Sequence, residues 1–124
     1  MLFRSDPQLQ SAYASCDIFA LPSREEGFGI VYVEAMRHGK PCVGADSGGV
    51  PEVIDNGVCG LLVPYGNVPA LAAAFERLYD DAELRLRFGE AGRRKAEAMF
   101  SRTAFGDACK QALQDVMRVS RAAR

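Results

Sequence analysis

Three short apolar runs constrain this chain more than anything else in it: CDIFALPS, PCVGADS and CGLLVPYG, each closed within a few residues by proline, glycine or serine. Apolar runs of that length, with branched and aromatic side chains and turn residues at their ends, are expected to be strands buried on both faces. The stretches between them, REEGFGIVYVEAMRHGK and GGVPEVIDNG, are too long and too rich in helix-ending signals to be hairpin turns. Strands alternating with helices pair in parallel, because the crossover returns the chain to the end from which it started.

The helices can be placed from their ends. Asp6 followed by Pro7 supplies a side-chain acceptor and a preset φ, so a helix should run from there to about Ser15. Ile30, Val31, Tyr32 and Val33 favour a strand by propensity. EAMRHG closed by Gly39 and followed by Pro41 nevertheless reads as a helix end, which places a helix over residues 29–38. GGVPEV predicts a tight turn and a short helix. From Asn67 onward Leu71, Phe75, Leu78 and Tyr79 fall on one helical face, and Asp80, with Glu83 three residues later, starts a new turn. Leu84, Phe88 and Ala91 continue the period, against Gly89 and Gly92, each costing about 1 kcal/mol relative to alanine. A last helix is expected from about Arg102, with Phe105, Cys109, Leu113, Val116 and Met117 on its apolar stripe and SRAAR fraying at its end. The fold class is therefore α/β, a Rossmann-like parallel sheet flanked by helices. Three strands make a thin sheet with a free edge, as expected of part of a domain.

At 124 residues and 48% hydrophobic content, the chain is expected to form one compact unit. Its 15 basic and 16 acidic residues, net -1, provide no field for attracting nucleic acid or anionic lipid, so neither is an expected partner. No stretch approaches the roughly 20 apolar residues of a membrane span, and nothing resembles a secretion signal. A cytoplasmic protein without an integral membrane segment is expected. Cys16, Cys42, Cys59 and Cys109 have no CxxC pairing and mostly apolar neighbours, and read as reduced, small core residues without a metal. The opening MLFRS back-translates to ATG CTC TTC CGA TCT, like the end of a sequencing adaptor. Residues 1–5 are accordingly read as a non-native leader, with native sequence from residue 6 onward.

The segment with chemical content is SREEGFGIVYVEAM, lying directly after a strand and leading into a helix, where parallel α/β sheets place their ligands. Gly27 and Gly29 remove side chains at the turn, so a ligand can approach backbone N–H groups of the first helical turn, a setting that favours phosphate. Glu26 lies in the loop, and Glu34 one turn beyond Ile30 and Val31 on the same helical face. Carboxylates are poor neighbours for phosphate and good acceptors for hydroxyls, so the pattern suggests phosphates flanked by two polyols.

Glu26, seven intervening residues and Glu34, with PS before and GFG within, resemble the signature of retaining GT-B glycosyltransferases of the group 1 type. GKPCVGADSGGVPEVIDNGVCGLLVPYG and LAAAFERLYDDAELRLRFGEAGR are similar to the segments downstream of that signature in the family. The resemblance implies that residues 6–124 are part of a carboxy-terminal, nucleotide-sugar-binding GT-B domain. It implies that Glu26 touches donor-sugar hydroxyls at the reacting centre, that the region of Gly27 with the N–H groups of Phe28 and Gly29 borders the same sugar, that Ile30 and Val31 face the diphosphate, and that Glu34 holds the ribose. The sugar would pass with retention from a nucleoside-diphosphate sugar, with no further cofactor and no metal. The family's diphosphate-neutralising basic residues and its amino-terminal acceptor domain have no counterpart here. A helix terminus worth about 1 kcal/mol cannot replace the 8 or more of enzymatic catalysis, so no turnover by this chain alone is expected. In the full-length protein the resemblance also allows peripheral membrane association.

Blander readings stand beside these. Gly48 and Gly49 read as a tight turn before VPEV rather than as cleft residues, His38 as a partner of the last helix carbonyls, and Arg93, Arg94 and Lys95 as a solvated run. Two other functions stay open: a non-catalytic interaction or regulatory module on the same fold, and a GT-B sugar-nucleotide epimerase or phosphorylase.

Overall fold

A computed structural model describes residues 7–22, 29–99, 109 and 111–118. The chain runs α1 (Pro7–Ser15), β1 (Phe19–Leu21), α2 (Ile30–Arg37), β2 (Cys42–Ala45), α3 (Val50–Val53), β3 (Gly60–Val63), α4 (Val68–Asp80) and α5 (Ala82–Met99). The strands form one sheet in the order β1-β2-β3, with Phe19 beside Cys42 and Cys42 beside Gly60, all parallel. The leader expected at residues 1–5, the Asp6 cap, the loop at 23–28 and the start of the last helix with Phe105 lie outside the described residues.

Alternation along the strands divides the core in two. Phe19, Leu21, Cys42 and Leu62 point to one face, where Tyr13, Tyr32, Ala35, Met36, Val50, Val53, Ile54, Cys59 and Ala96 complete a buried cluster. Ile18, Ala20, Val43, Leu61 and Val63 point to the other, against Ala74, Leu78, Leu84 and Phe88. β2 is buried throughout. β1, expected to be buried on both faces, is half-buried, since among the described strands it has a neighbour on one side only.

The 29–38 helix forms despite its β-branched start because tertiary packing outweighs propensity: Tyr32, Ala35 and Met36 are fully buried. In α4 the expected face holds for Leu78, which is buried, and Leu71, which packs on the same cluster, but Ala74 fills the stripe between them while Phe75 lies at the surface and Tyr79 is 80% exposed. Small alanines face the sheet and let the helix approach it. The α5 cap is Asp81 rather than Asp80: its Oδ1 accepts from the Leu84 N–H at 2.9 Å, and Arg85 donates to the Leu78 and Tyr79 carbonyls at 2.6 and 2.9 Å. Gly89 and Gly92 are there for close approach. A Cβ at Gly89 would collide with the Gly39 carbonyl, and one at Gly92 would lie 3.3 Å from Met36 Cγ. The two glycines that weaken the helical pattern thus seat α5 on the end of α2.

Lys95 is not merely solvated. Its ammonium bonds Asp55 Oδ1 at 3.0 Å and the Glu52 carbonyl at 3.1 Å, tying α5 to the segment around α3. Arg93 pairs with Glu90 and Glu97. Cys42 and Cys59 are buried as expected, Cys16 half-buried, and Cys109 exposed, a departure that matches the exposure of the helical residues 111–118 beside it; all four are free thiols. Leu113, Val116 and Met117 on the apolar stripe are also exposed. Among the described residues no helix is long and apolar enough to cross a membrane.

Candidate functional site

Helix α2 begins at the carboxyl end of the sheet, and its start is fixed from below. The Tyr32 hydroxyl donates to the Leu21 carbonyl at the end of β1, while its ring meets Phe19 edge-on at 5.6 Å and 88°. A glycine at position 44 of β2 makes this possible, because a Cβ there would stand 3.0 Å from the Tyr32 hydroxyl and 2.8 Å from Val50 Cγ1. Gly29 caps the helix in the left-handed conformation, φ 67° and ψ 36°, and its carbonyl accepts from the N–H groups of Tyr32 and Val33 at 3.0 and 3.2 Å. A side chain at this φ is strained, and a Cβ would press on Tyr32 and Val53, so glycine is needed twice over. No described side chain caps this terminus, and with Tyr32 and Val33 bonded to Gly29 it is the N–H groups of Ile30 and Val31 that have no partner within the helix.

Ile30 opens the helix and is 48% exposed, Val31 is half-buried, and Glu34 lies one turn later, also half-buried. Helix α1 packs beside it. Tyr13 is 5% exposed, and its ring stacks on His38 at 5.7 Å and 16°. His38 stands one turn beyond Glu34 on the same helical face, which brings the Tyr13 phenol within the electrostatic reach of the Glu34 carboxylate. Burial first, and the negative charge of Glu34 after it, push the Tyr13 phenol up to about 12. The His38 ring donates from Nε2 to Gln10 Oε1 at 2.8 Å, so its side chain ties α1 to α2 instead of bonding the last helix carbonyls.

Of the residues singled out from the sequence, Gly29, Ile30, Val31 and Glu34 lie together at the amino end of α2; Glu26, Gly27 and Phe28 lie outside the described residues. Gly48 and Gly49 form a turn, with Gly48 at φ 57° and Gly49 capping α3. Tyr13 is what sequence reasoning missed. The available hint is a lone aromatic in an otherwise small and polar helix, PQLQSAYAS. Among the described residues no group of three or more His, Cys, Asp or Glu side chains is clustered to hold a metal.

The three-stranded parallel sheet covered by helices, with α2 starting at the carboxyl ends of the strands, is shared with solved GT-B glycosyltransferases. Residues 1–95 match the model of the family described as glycosyl transferases group 1. The chain belongs to that family. It is 46% identical over 88 residues to the D-inositol 3-phosphate glycosyltransferase of Corynebacterium kroppenstedtii, covering 70% of this chain and 19% of that protein. It is 39% identical over 105 residues to the alpha-D-kanosaminyltransferase of Streptomyces kanamyceticus, covering 85% and 27%. Among solved structures, Anabaena HepE in complex with UDP and glucose superposes with a TM-score of 0.81 at 30% identity, covering 91% of this chain and 30% of that one. Sucrose-phosphate synthase from Thermosynechococcus elongatus gives 0.81 at 29%, covering 90% and 28%. The chain thus spans between a fifth and a third of the length of these relatives.

Proposed function

We propose that residues 6–124 are the donor-binding part of a retaining GT-B glycosyltransferase that takes its sugar from a nucleoside-diphosphate sugar. The observation that carries this reading is the amino end of α2, which no described side chain caps, with the Glu34 carboxylate one turn below it on the same face as Ile30. Partial positive charge at such a terminus suits a diphosphate, and a carboxylate set one turn back suits the hydroxyls of the attached ribose. Ile30 and Val31 then face the diphosphate, Glu34 holds the ribose, and Gly29 leaves room for the backbone to approach. Glu26, Gly27 and Phe28 take the sugar end, as in the family signature. That HepE is found with UDP and glucose supports a nucleotide sugar as the ligand class.

In this reading the leaving diphosphate carries the developing negative charge, and transfer proceeds without metal or further cofactor. One helix terminus stabilises that charge by about 1 kcal/mol. Acceptor binding and the remaining stabilisation fall to the regions of the relatives beyond the matched stretch, and the 124-residue chain binds donor without turning it over. Titration calorimetry with UDP-glucose tests the proposal. Binding is expected in the wild type and lost in Glu34→Ala; binding that Glu34→Ala leaves intact, or that inorganic phosphate reproduces in full, refutes it.

A further inference from the structure

The segment DNG between α3 and β3 takes no part in the proposed donor site, yet it holds one of the chain's two asparagines, Asn56, directly before Gly57. Asparagine followed by glycine is the pairing most open to spontaneous deamidation, because no side chain shields the backbone nitrogen that must attack the amide. The other asparagine, Asn67, precedes β-branched Val68 and caps α4, accepting from the Ala70 N–H at 2.9 Å.

Asn56 lies in an exposed turn along the outer edge of β3. Its backbone bridges Gly60 in parallel, on the side opposite Cys42, and the Gly57 N–H donates to the Gly60 carbonyl at 2.8 Å. Its side-chain Oδ1 accepts from the Leu62 N–H at 3.0 Å, farther along the same strand. The turn thus stands in for a further strand at an edge that would otherwise offer unpaired groups. It is anchored from behind, since the Asp55 carbonyl accepts from the Val58 and Cys59 N–H groups at 3.0 and 3.1 Å and the Asp55 carboxylate bonds Lys95 at 3.0 Å.

The two bonds that cap the strand also oppose the reaction. In deamidation the Gly57 nitrogen gives up its proton and attacks Asn56 Cγ; a cyclic imide closes, and the amide nitrogen leaves as ammonia with that proton. Water then opens the imide at one carbonyl to aspartate, or at the other to isoaspartate, whose backbone is longer by a methylene. In the folded turn the Gly57 proton is held by the Gly60 carbonyl, whose oxygen repels a nitrogen anion, and the Asn56 amide is held by Leu62 and is not free to swing over its neighbour. Both bonds must release before the attacking atoms can align.

We propose that Asn56 is a deamidation site that the fold keeps closed: modification follows local opening of the 55–58 turn from β3, and the isoaspartate product no longer fits the edge that asparagine caps. Water is the reaction's only co-reactant. The site therefore records how often this edge of the sheet opens.

Two measurements on the full 124-residue chain test it. The first follows deamidation at mildly alkaline pH by peptide mass spectrometry, with isoaspartate counted by enzymatic methyl transfer. In urea-denatured chain Asn56 should convert to both products while Asn67 lags far behind. In folded chain Asn56 should convert roughly tenfold to thirtyfold more slowly, the ratio that two exposed hydrogen bonds of ordinary net strength supply. Its rate should already rise in urea below the unfolding transition. Equal rates in folded and denatured chain, a denatured chain in which Asn56 stays intact, or a rate that rises only with global unfolding overturns the proposal.

The second measurement isolates the isoaspartate form by ion exchange and compares its urea midpoint with those of wild type and Asn56→Asp. Aspartate keeps an oxygen for the Leu62 N–H, so Asn56→Asp should stay near wild type and the isoaspartate form should fall below both. An isoaspartate form as stable as wild type shows that the edge does not depend on this turn, and overturns the proposal.

Discussion

The two faces of the sheet are built from different chemistry. Behind α4 and α5 the buried cluster is Val43, Leu61, Val63, Ala74, Leu78, Leu84 and Phe88, hydrocarbon throughout. Behind α1 and α2 the cluster contains Tyr13, Tyr32, Cys42 and Cys59 among its apolar members. These four carry polar atoms where water does not reach: the Tyr32 hydroxyl donates to the Leu21 carbonyl, the Cys42 thiol to the Lys40 carbonyl at 3.6 Å, the Cys59 sulfur accepts from the Asp55 N–H at 3.3 Å, and the Tyr13 phenol lies within the electrostatic reach of Glu34. A hydrocarbon core stabilises in proportion to area and fixes little about direction. A core with satisfied polar tips specifies direction as well, and this one lies under the helix that presents Glu34. One face holds the domain together; the other also aims it.

The largest expected effect tests the first half of that contrast. Phe88 is 1% exposed and packs α5 on the hydrocarbon face. Phe88→Ala should cost about 3–5 kcal/mol, the range for truncating a buried aromatic, read as a lower urea midpoint. Nucleotide affinity per folded molecule should stay the same, since the face carries no site residue. A Phe88→Ala protein that is fully folded yet has lost its affinity for UDP-glucose would break the division between the faces.

An intermediate effect tests the second half through pH. Burial raises the Cys42 thiol, burial raises Cys59, and burial with Glu34 raises Tyr13 to about 12. All three shifts favour the protonated form in the folded state. Their contribution is therefore complete below about pH 8.5, where the unfolded thiols still hold their protons, and is lost as pH climbs through 10 towards 12. Urea midpoints should fall steeply above about pH 9, and Tyr13→Phe and Cys42→Ala should each flatten the fall while the hydrocarbon face contributes nothing to it. A pH profile indifferent to both substitutions would mean that these buried groups do not titrate with unfolding.

Much of this division was legible in the sequence. Three parallel strands, the helix after the Gly29 turn and the pairing of Ile30 with Glu34 on one face all come from patterns within a few residues of each other. The failures have a common cause, which is that a face of a helix is chosen by what lies opposite. Tyr79 fits the 3.6-residue period as well as Leu78 does, but the surface of Val43, Leu61 and Val63 accommodates Leu78 and Ala74 and leaves Tyr79 in solvent. Gly89 and Gly92 weaken a helix by propensity, and only the approach of Gly39 and Met36 from a helix some 50 residues earlier explains them. His38 and Tyr13 are 25 residues apart, and no local pattern announces that one stacks on the other. The loop bearing Glu26, the most specific signal in the sequence, lies outside the described residues.

The smallest expected effect concerns where the hydrocarbon face begins. The sequence offers Asp80 and Asp81 in succession, and the spacing to Glu83 favours Asp80 as the cap. Yet Asp80 closes α4, and it is Asp81, in extended conformation between the helices, whose carboxylate accepts from the Leu84 N–H. That one-residue choice rotates α5 by about 100°, so it decides whether Leu84 and Phe88 or their neighbours Arg85 and Gly89 meet the sheet. Asp81→Ala should cost about 1 kcal/mol through the lost cap, and Asp80→Ala about 0.5 or less, because an exposed carboxylate at a helix end contributes little. Thermal midpoints of the two variants separate these cases. Equal shifts, or a larger one for Asp80→Ala, would place the start of α5 one residue earlier and turn Leu84 and Phe88 away from the strands.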